Sequence, residues 1–450
     1  MKKTTLWLLA LACLMAWSAP LTAEICTIDD VPAATLLLPY FEVNLANNNN
    51  NTGINTLFSI NNASASAAVA HVTFWTDQSI PTLDFDVYLT GYDVQTISVR
   101  DIFNGILPRT ADAGADQGFS PQVSPKGSLS QDINFPGSSG PCVAPYTNPV
   151  LDSTRITNLR AAHTGLNAPA YGGCLGAAYG DNIARGYVTV DSVTQCNLLF
   201  PSSATYFSGG IADNRNILWG DYFYVNSAQN FASGETLVHV EACSAPSVGN
   251  GAGHCPFAPG QYTFYGRYAA VAGQDQREPL ATTFASRYIN GGTFNGGTDL
   301  IVWRDSKTIP TGINGPYNCN SADGPAWFPL NQTDVVAFDE SENPQDLCFT
   351  GDVVSPPQGG AQTCFPLEAQ RVSLSGGNVI GSNPTPSSPF GWIYLNLNTT
   401  VSGVNYPAAN PAIAQAWVET TMDADGRFEV GFDAIQLDSA CAPSNVIFIP

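Results

Sequence analysis

Apolar residues in this chain recur with a period of two, in short runs separated by turn residues. In TLDFDVYLT, Leu83, Phe85, Val87 and Leu89 fall on one face and Asp84, Asp86 and Tyr88 on the other. That is the pattern of a strand with one buried side. QTISVRDIF continues it, with Ile97 and Val99 inward. RGYVTVDSV, GDYFYVN, ETLVHVEA, TDLIVWRD, DVVAFDE, GWIYLNLN, AQAWVETTM and RFEVGFDAIQL have the same alternating or β-branched character. Helical stripes are scarce, and DSTRITNLRAAHTGL, at 152–166, is the best helix segment. The 41 glycines and 32 prolines, with Asp outnumbering Glu, supply many turns. The chain reads as all-β and antiparallel.

The patterns repeat. Thr56-x-Phe58 is echoed by Thr282-x-Phe284, and HVTFWTD by DLIVWRD, which sets Trp75 beside Trp303 and Asp77 beside Asp305. Gly186 is echoed by Gly391, Trp219 by Trp417 and Cys243 by Cys441, all in the same order. Two tandem, duplicated β-sandwich modules are expected, at 24–243 and 255–450, with 244–254 as linker. In each, the tryptophan is expected to anchor a core. Long loops interrupt them at about 108–182 and 351–389, and disulfides are expected to staple these loops.

Compartment follows from the first residues. Residues 1–23 have two lysines, an apolar run and a small-residue end, which is a secretory signal peptide. No later stretch is apolar enough to span a membrane as a helix. Of eleven cysteines, Cys13 leaves with the signal. Cys26, Cys142, Cys174, Cys196, Cys243, Cys255, Cys319, Cys348, Cys364 and Cys441 remain as disulfide candidates. A local clip of Cys243 with Cys255 is the expected short bridge. The absence of any C-x-x-C argues against zinc. The protein is expected to be secreted, to the periplasm, the cell surface or beyond.

The net charge of −21 argues against nucleic acid and anionic membranes as partners. With 44% hydrophobic residues, the chain is not a disordered acidic tail. Catalytic motifs are absent: no G-x-S-x-G, no H-E-x-x-H, no phosphate-binding glycine loop. His163, with Asp152 and Arg155, is the local polar cluster to test for binding. Glu340 and Glu342 on one strand face, Asp339 on the other, and Glu241 and Glu419 elsewhere are candidate carboxylates, and a glycosidase would need two of them facing a sugar. No cofactor motif is present. Calcium is the one ion the pattern suggests, at Asp423 and Asp425, but Gly426 comes at the fourth place rather than the sixth of an EF-hand loop. A hairpin through Asp425-Gly426 is the simpler reading. The expected function is non-catalytic: extracellular binding of glycan or protein, adhesion or surface structure. A secreted hydrolase acting on polysaccharide is the alternative.

Overall fold

A computed structural model of the chain describes residues 31–46, 53–108, 151–229, 231–243, 263–269, 274–305, 316–319, 328–330, 332, 334–348, 363–397, 415–424 and 428–437. Of these, 47% are in strands and 9% in helices, so the protein is mostly β. Four sheets form. Sheet I orders β10 (Val238–Val240), β1 (Thr35–Asn44), β6 (Ile183–Val193), β3 (Ala68–Thr76) and β4 (Pro81–Leu89). Sheet II orders β5 (Val94–Ser98), β2 (Ile54–Asn62), β8 (Asp221–Asn226) and β9 (Phe231–Thr236), with β7 (Leu218–Trp219) also on β2. Sheet III orders β15 (Ala369–Ser373), β12 (Gly297–Arg304), β17 (Ala416–Ala424) and β18 (Phe428–Asp433). Sheet IV orders β19 (Ile435–Gln436), β11 (Thr283–Ile289), β16 (Phe390–Asn396), β13 (Asp334–Asp339) and β14 (Pro344–Asp346). The pairings are antiparallel.

Alternation explains one face of each strand and understates the other. Leu83, Phe85, Val87 and Leu89 of β4 are buried as expected, yet Asp86 and Tyr88 are buried too. On that face Asp86 meets His71 Nδ1 at 2.8 Å and accepts from Asn197 N at 2.7 Å. Strands β3 and β6 are buried on nearly every residue. One continuous core joins sheets I and II and takes in Phe264, Tyr268, Ile301, Trp303 and Trp417 from the C-terminal half. Sheet I is therefore covered on both faces, which removes the need for a polar side. A second core lies between sheets III and IV, around Phe284, Leu300, Val302, Ile393 and Val418.

The halves share a strand order. With β11, β13, β14, β16 and β19 standing for β1, β3, β4, β6 and β10, sheet IV repeats sheet I. With β12, β15, β17 and β18 standing for β2, β5, β8 and β9, sheet III repeats sheet II. Gly186 and Gly391 occupy matching places. Gly186 lies between Phe41 and Thr76, and Gly391 between Tyr288 and Asp339. A Cβ on either would strike a neighbouring strand's carbonyl, that of Trp75 or Phe338. Trp219 faces Asn61 of β2 as Trp417 faces Trp303 of β12. Trp75 and Trp303 do not match: β3 corresponds to β13, so the partner of Trp75 is Phe338. Trp75 faces Pro81 and Phe338 faces Pro344, across turns in which Ser79 and Glu342 both have positive φ. Thr56 and Phe58, on β2, likewise do not match Thr282 and Phe284 beside β11. The misleading cue was that HVTFWTD and DLIVWRD end on the same letters, whereas only TDQSIP and DESENP form the same hairpin.

Helix α1 (Val99–Phe103) follows β5, α2 (Ser153–His163) lies within the segment expected as the first long loop, and α3 (Ala204–Ser208) follows β6. The segment expected as the second long loop contains β15. In and beside β15, Leu367, Ala369, Val372 and Leu374 are buried, whereas Val379 further on is exposed. Cys348 pairs with Cys364, 16 residues on. Cys174 pairs with Cys319 across 145 residues, so it ties the first long segment to the C-terminal half instead of to itself. Cys196 and Cys243 are also disulfide-bonded. Residues 1–23, Cys26, Cys142, Cys255, Cys441 and the 244–254 linker lie outside the described residues. Among the described residues no helix is long and apolar enough to cross a membrane.

Candidate functional site

An open cleft lies on sheet IV. It encloses about 620 Å³ on the face turned away from Phe284 and Ile393. Strand register builds it. Arg287 of β11, Trp392 of β16 and Phe338 of β13 stand in one cross-strand row. The Phe338 and Trp392 rings stack at 4.2 Å and 11°. Ile435 of β19 is 69% exposed at one side. Asp339, Glu340 and Glu342 line another side, on the β13–β14 turn.

That turn is held by Asp339. Its Oδ1 accepts from the backbone of Ser341 at 2.8 Å and Asn343 at 2.9 Å, and its Oδ2 from Asn343 Nδ2 at 2.8 Å. The Asn343 side chain, then the backbone bonds, hold the Asp339 carboxyl below the usual range. Arg287, Glu340 and Glu342 make no side-chain hydrogen bond or ion pair among the described residues. The cleft thus offers Trp392, backed by Phe338, together with Arg287, Glu340, Glu342 and an ionised Asp339.

The carboxyls that do converge lie in the sealed interior. Arg267 Nη1 contacts Asp305 at 3.0 Å and Glu368 at 2.5 Å, with all three side chains nearly inaccessible. Asp191 accepts from Thr35 Oγ1 at 2.6 Å and Tyr206 OH at 2.8 Å, with Tyr265 OH at 3.1 Å and Arg277 Nε at 3.7 Å. Tyr222 OH and Trp417 Nε1 donate to Glu419. Burial, then Asp433, pushes the Glu419 carboxyl up. The Asp191 and Glu419 clusters join the two halves of the chain.

The residues singled out by sequence are placed apart. Asp152 caps α2, accepting from Arg155 N at 2.8 Å, so those two meet at its exposed first turn. His163 lies at the other end, about 16 Å on by helical rise. It is buried, with Nδ1 2.8 Å from the Arg185 carbonyl and Nε2 2.8 Å from Thr82 Oγ1. The carbonyl only accepts, so Nδ1 carries the hydrogen and Thr82 donates to Nε2. Burial pulls the His163 pKa down to about 4. Asp423 pairs with Gly297 and Glu429 in sheet III, and Asp425 lies outside the described residues. Sequence reading reached Glu340, Glu342 and Asp339 but missed Arg287 and Trp392. In GWIYLN, Trp392 and Tyr394 alternate with Ile393 and Leu395, and that alternation was the available signal.

The cleft has a covered counterpart. In the N-terminal half, Trp75 and Tyr187 occupy the places of Phe338 and Trp392, and they stack at 5.7 Å and 2°. Tyr268 stacks on Trp75 and Trp303 meets Tyr187 edge-on. One aromatic pair is thus buried by the C-terminal half, and of its twin pair Trp392 lines an open cleft. No family model matches this chain, and no curated protein or solved structure matches it.

Proposed function

We propose that the protein is exported and works outside the cytoplasm as a non-catalytic binding or surface-structure protein, built from two copies of one β-sandwich module. The single observation that carries the non-catalytic reading is where the carboxyls sit. Those that converge are inaccessible and fixed by arginine, tyrosine or tryptophan, and those at the open cleft are solvated. A retaining or inverting glycosidase needs a carboxyl pair lining the same substrate space, and the cleft acids Asp339, Glu340, Glu342 and Asp433 are where the hydrolase alternative would find one. Export is supported by the signal-like residues 1–23 and by the cysteines: Cys174, Cys196, Cys243, Cys319, Cys348 and Cys364 are all disulfide-bonded. Duplication is supported by the shared strand order, the paired glycines Gly186 and Gly391, and the matched turns at Ser79 and Glu342. Glycan or protein at the cell exterior is the partner class. No cofactor enters this reading.

The test is incubation of the mature protein with soluble polysaccharides, followed by assay of new reducing ends. The expected result is none above a heat-denatured control. Release of reducing ends that is abolished by Glu340→Gln or Glu342→Gln would establish the hydrolase alternative instead.

A further inference from the structure

The geometry points to head-to-tail self-association, with the open face of sheet IV in one copy receiving the outer face of sheet II in the next. The inference rests on the duplication reading and extends it to the role of surface structure.

The template is the contact inside the chain. The outer face of sheet I, carrying Trp75 and Tyr187, is covered by sheet III through Trp303 and by the segment bearing Phe264 and Tyr268. Ile301, Trp303, Ala369 and Trp417 of sheet III belong to the same core as sheet I. The joint is heterologous: a sheet of type I meets a sheet of type II, on different surfaces of equivalent halves. Such a joint leaves one surface of each kind unused at the two ends. Sheet IV is the unused counterpart of sheet I, and sheet II that of sheet III.

Both unused faces carry exposed apolar side chains, although on sheet II the places of Ile301 and Trp303 are taken by Ser59 and Asn61. On sheet IV, Trp392 and Phe338 are partly exposed, Ile435 is 69% exposed and Phe390 is 41% exposed. On sheet II, the row facing away from Phe58 and Tyr222 includes Leu57, Phe223 at 44% exposure and Val94 at 58%. Trp219, the counterpart of buried Trp417, is only partly covered. Four of the ten exposed large apolar side chains among the described residues, Val94, Phe223, Phe390 and Ile435, lie on the two faces that the internal joint leaves open. Exposed apolar patches of this kind mark interaction sites. A second copy is the occupant that carries both surfaces with the shape the chain already uses once.

The chain's net charge of −21 opposes association, so added salt should promote it. The test is sedimentation velocity of the mature full-length protein over a concentration series at low and high salt. Open-ended growth of mass with concentration is expected, enhanced by salt. Two single variants block one face each: Ile435→Arg on sheet IV and Phe223→Arg on sheet II. Both sites are exposed, so both variants should melt as the parent does. Each alone should associate roughly tenfold or more weakly. Mixed together, they should form one-to-one dimers and nothing longer, because each retains the face the other lacks. A parent that stays monomeric, variants that associate like the parent, or a mixture that stays monomeric would each overturn the inference. Monomeric parent protein that binds another extracellular partner would leave the non-catalytic proposal standing. Reducing-end release would remove that proposal whatever the assembly state.

Discussion

Asp77 and His163 titrate in opposite senses at the end of sheet I, and their effects on stability should mask one another. Asp77 is buried, with Oδ1 accepting from Ala177 N at 3.0 Å, and burial pushes its carboxyl from 3.8 up to about 7. The folded state holds that proton more tightly than the unfolded one. Its contribution is therefore complete below about pH 4 and is lost as pH rises through about 7. His163 is held neutral, its pKa pulled from 6.5 down to about 4. Its contribution is complete above about pH 6.5 and is lost as pH falls through about 4. Each is on the order of 3 to 4 kcal/mol at most. Between pH 4 and 6.5 the two slopes nearly cancel. Denaturant unfolding across that window should show little slope from this pair in the parent. Relative to it, Asp77→Asn should gain stability as pH rises, and His163→Gln should lose it. Parallel profiles for all three proteins would show that neither group is linked to folding.

At the scale of elements, α2 shows how a structural role resembles a site in sequence. Asp152, Arg155 and His163 cluster in the sequence, but a helix puts a cap at one end and a buried imidazole at the other. Asp152→Ala should cost about 1 kcal/mol, the usual value of an N-cap. It should leave association of the full-length protein unchanged in sedimentation. A lost self-association at unchanged melting temperature would assign the cap a binding role. The strands themselves were legible because β4 buries Leu83, Phe85, Val87 and Leu89 at period two. Their neighbours were not. Nothing local in HVTFWTD says that it pairs with GYVTVD and turns back through TDQSIP, so Trp303 looked like its partner and Phe338 did not. ETLVHVEA reads as one strand, yet it splits into β9 and β10 on different sheets, with Leu237 N bonded to Gly220 O at 3.0 Å between them. The cleft was half legible: three of its acids, Asp339, Glu340 and Glu342, lie in one short run, whereas Asp433, Arg287 and Trp392 meet them only through the fold.

For the whole molecule, the joint between halves resembles a core more than a hinge. Trp75 and Tyr187 are covered by Tyr268 and Trp303, Tyr222 of β8 donates to Glu419 of β17, and Cys243 N donates to the Gln276 carbonyl at 2.9 Å. Asp191 draws two of its four polar contacts, Tyr265 and Arg277, from across the joint. The Cys174–Cys319 bridge closes a loop of 145 residues, which in a chain-entropy account contributes about 5 kcal/mol. Fully exposing a large apolar side chain costs about 1.5–3 kcal/mol. Uncovering Trp75, Tyr187 and their neighbours would therefore consume most of the roughly 5–15 kcal/mol by which a domain is stable. The full chain should melt in one calorimetric transition. Residues 24–243 produced alone, under oxidising conditions, should show no cooperative melt and should bind a hydrophobic dye. Replacing both Cys174 and Cys319 by Ser in the full chain should lower the single transition without splitting it, because the aromatic joint persists. Two separate transitions in the parent, or a cooperative melt of 24–243 near the parent's temperature, would show that the halves fold independently and that the joint is a contact between finished domains.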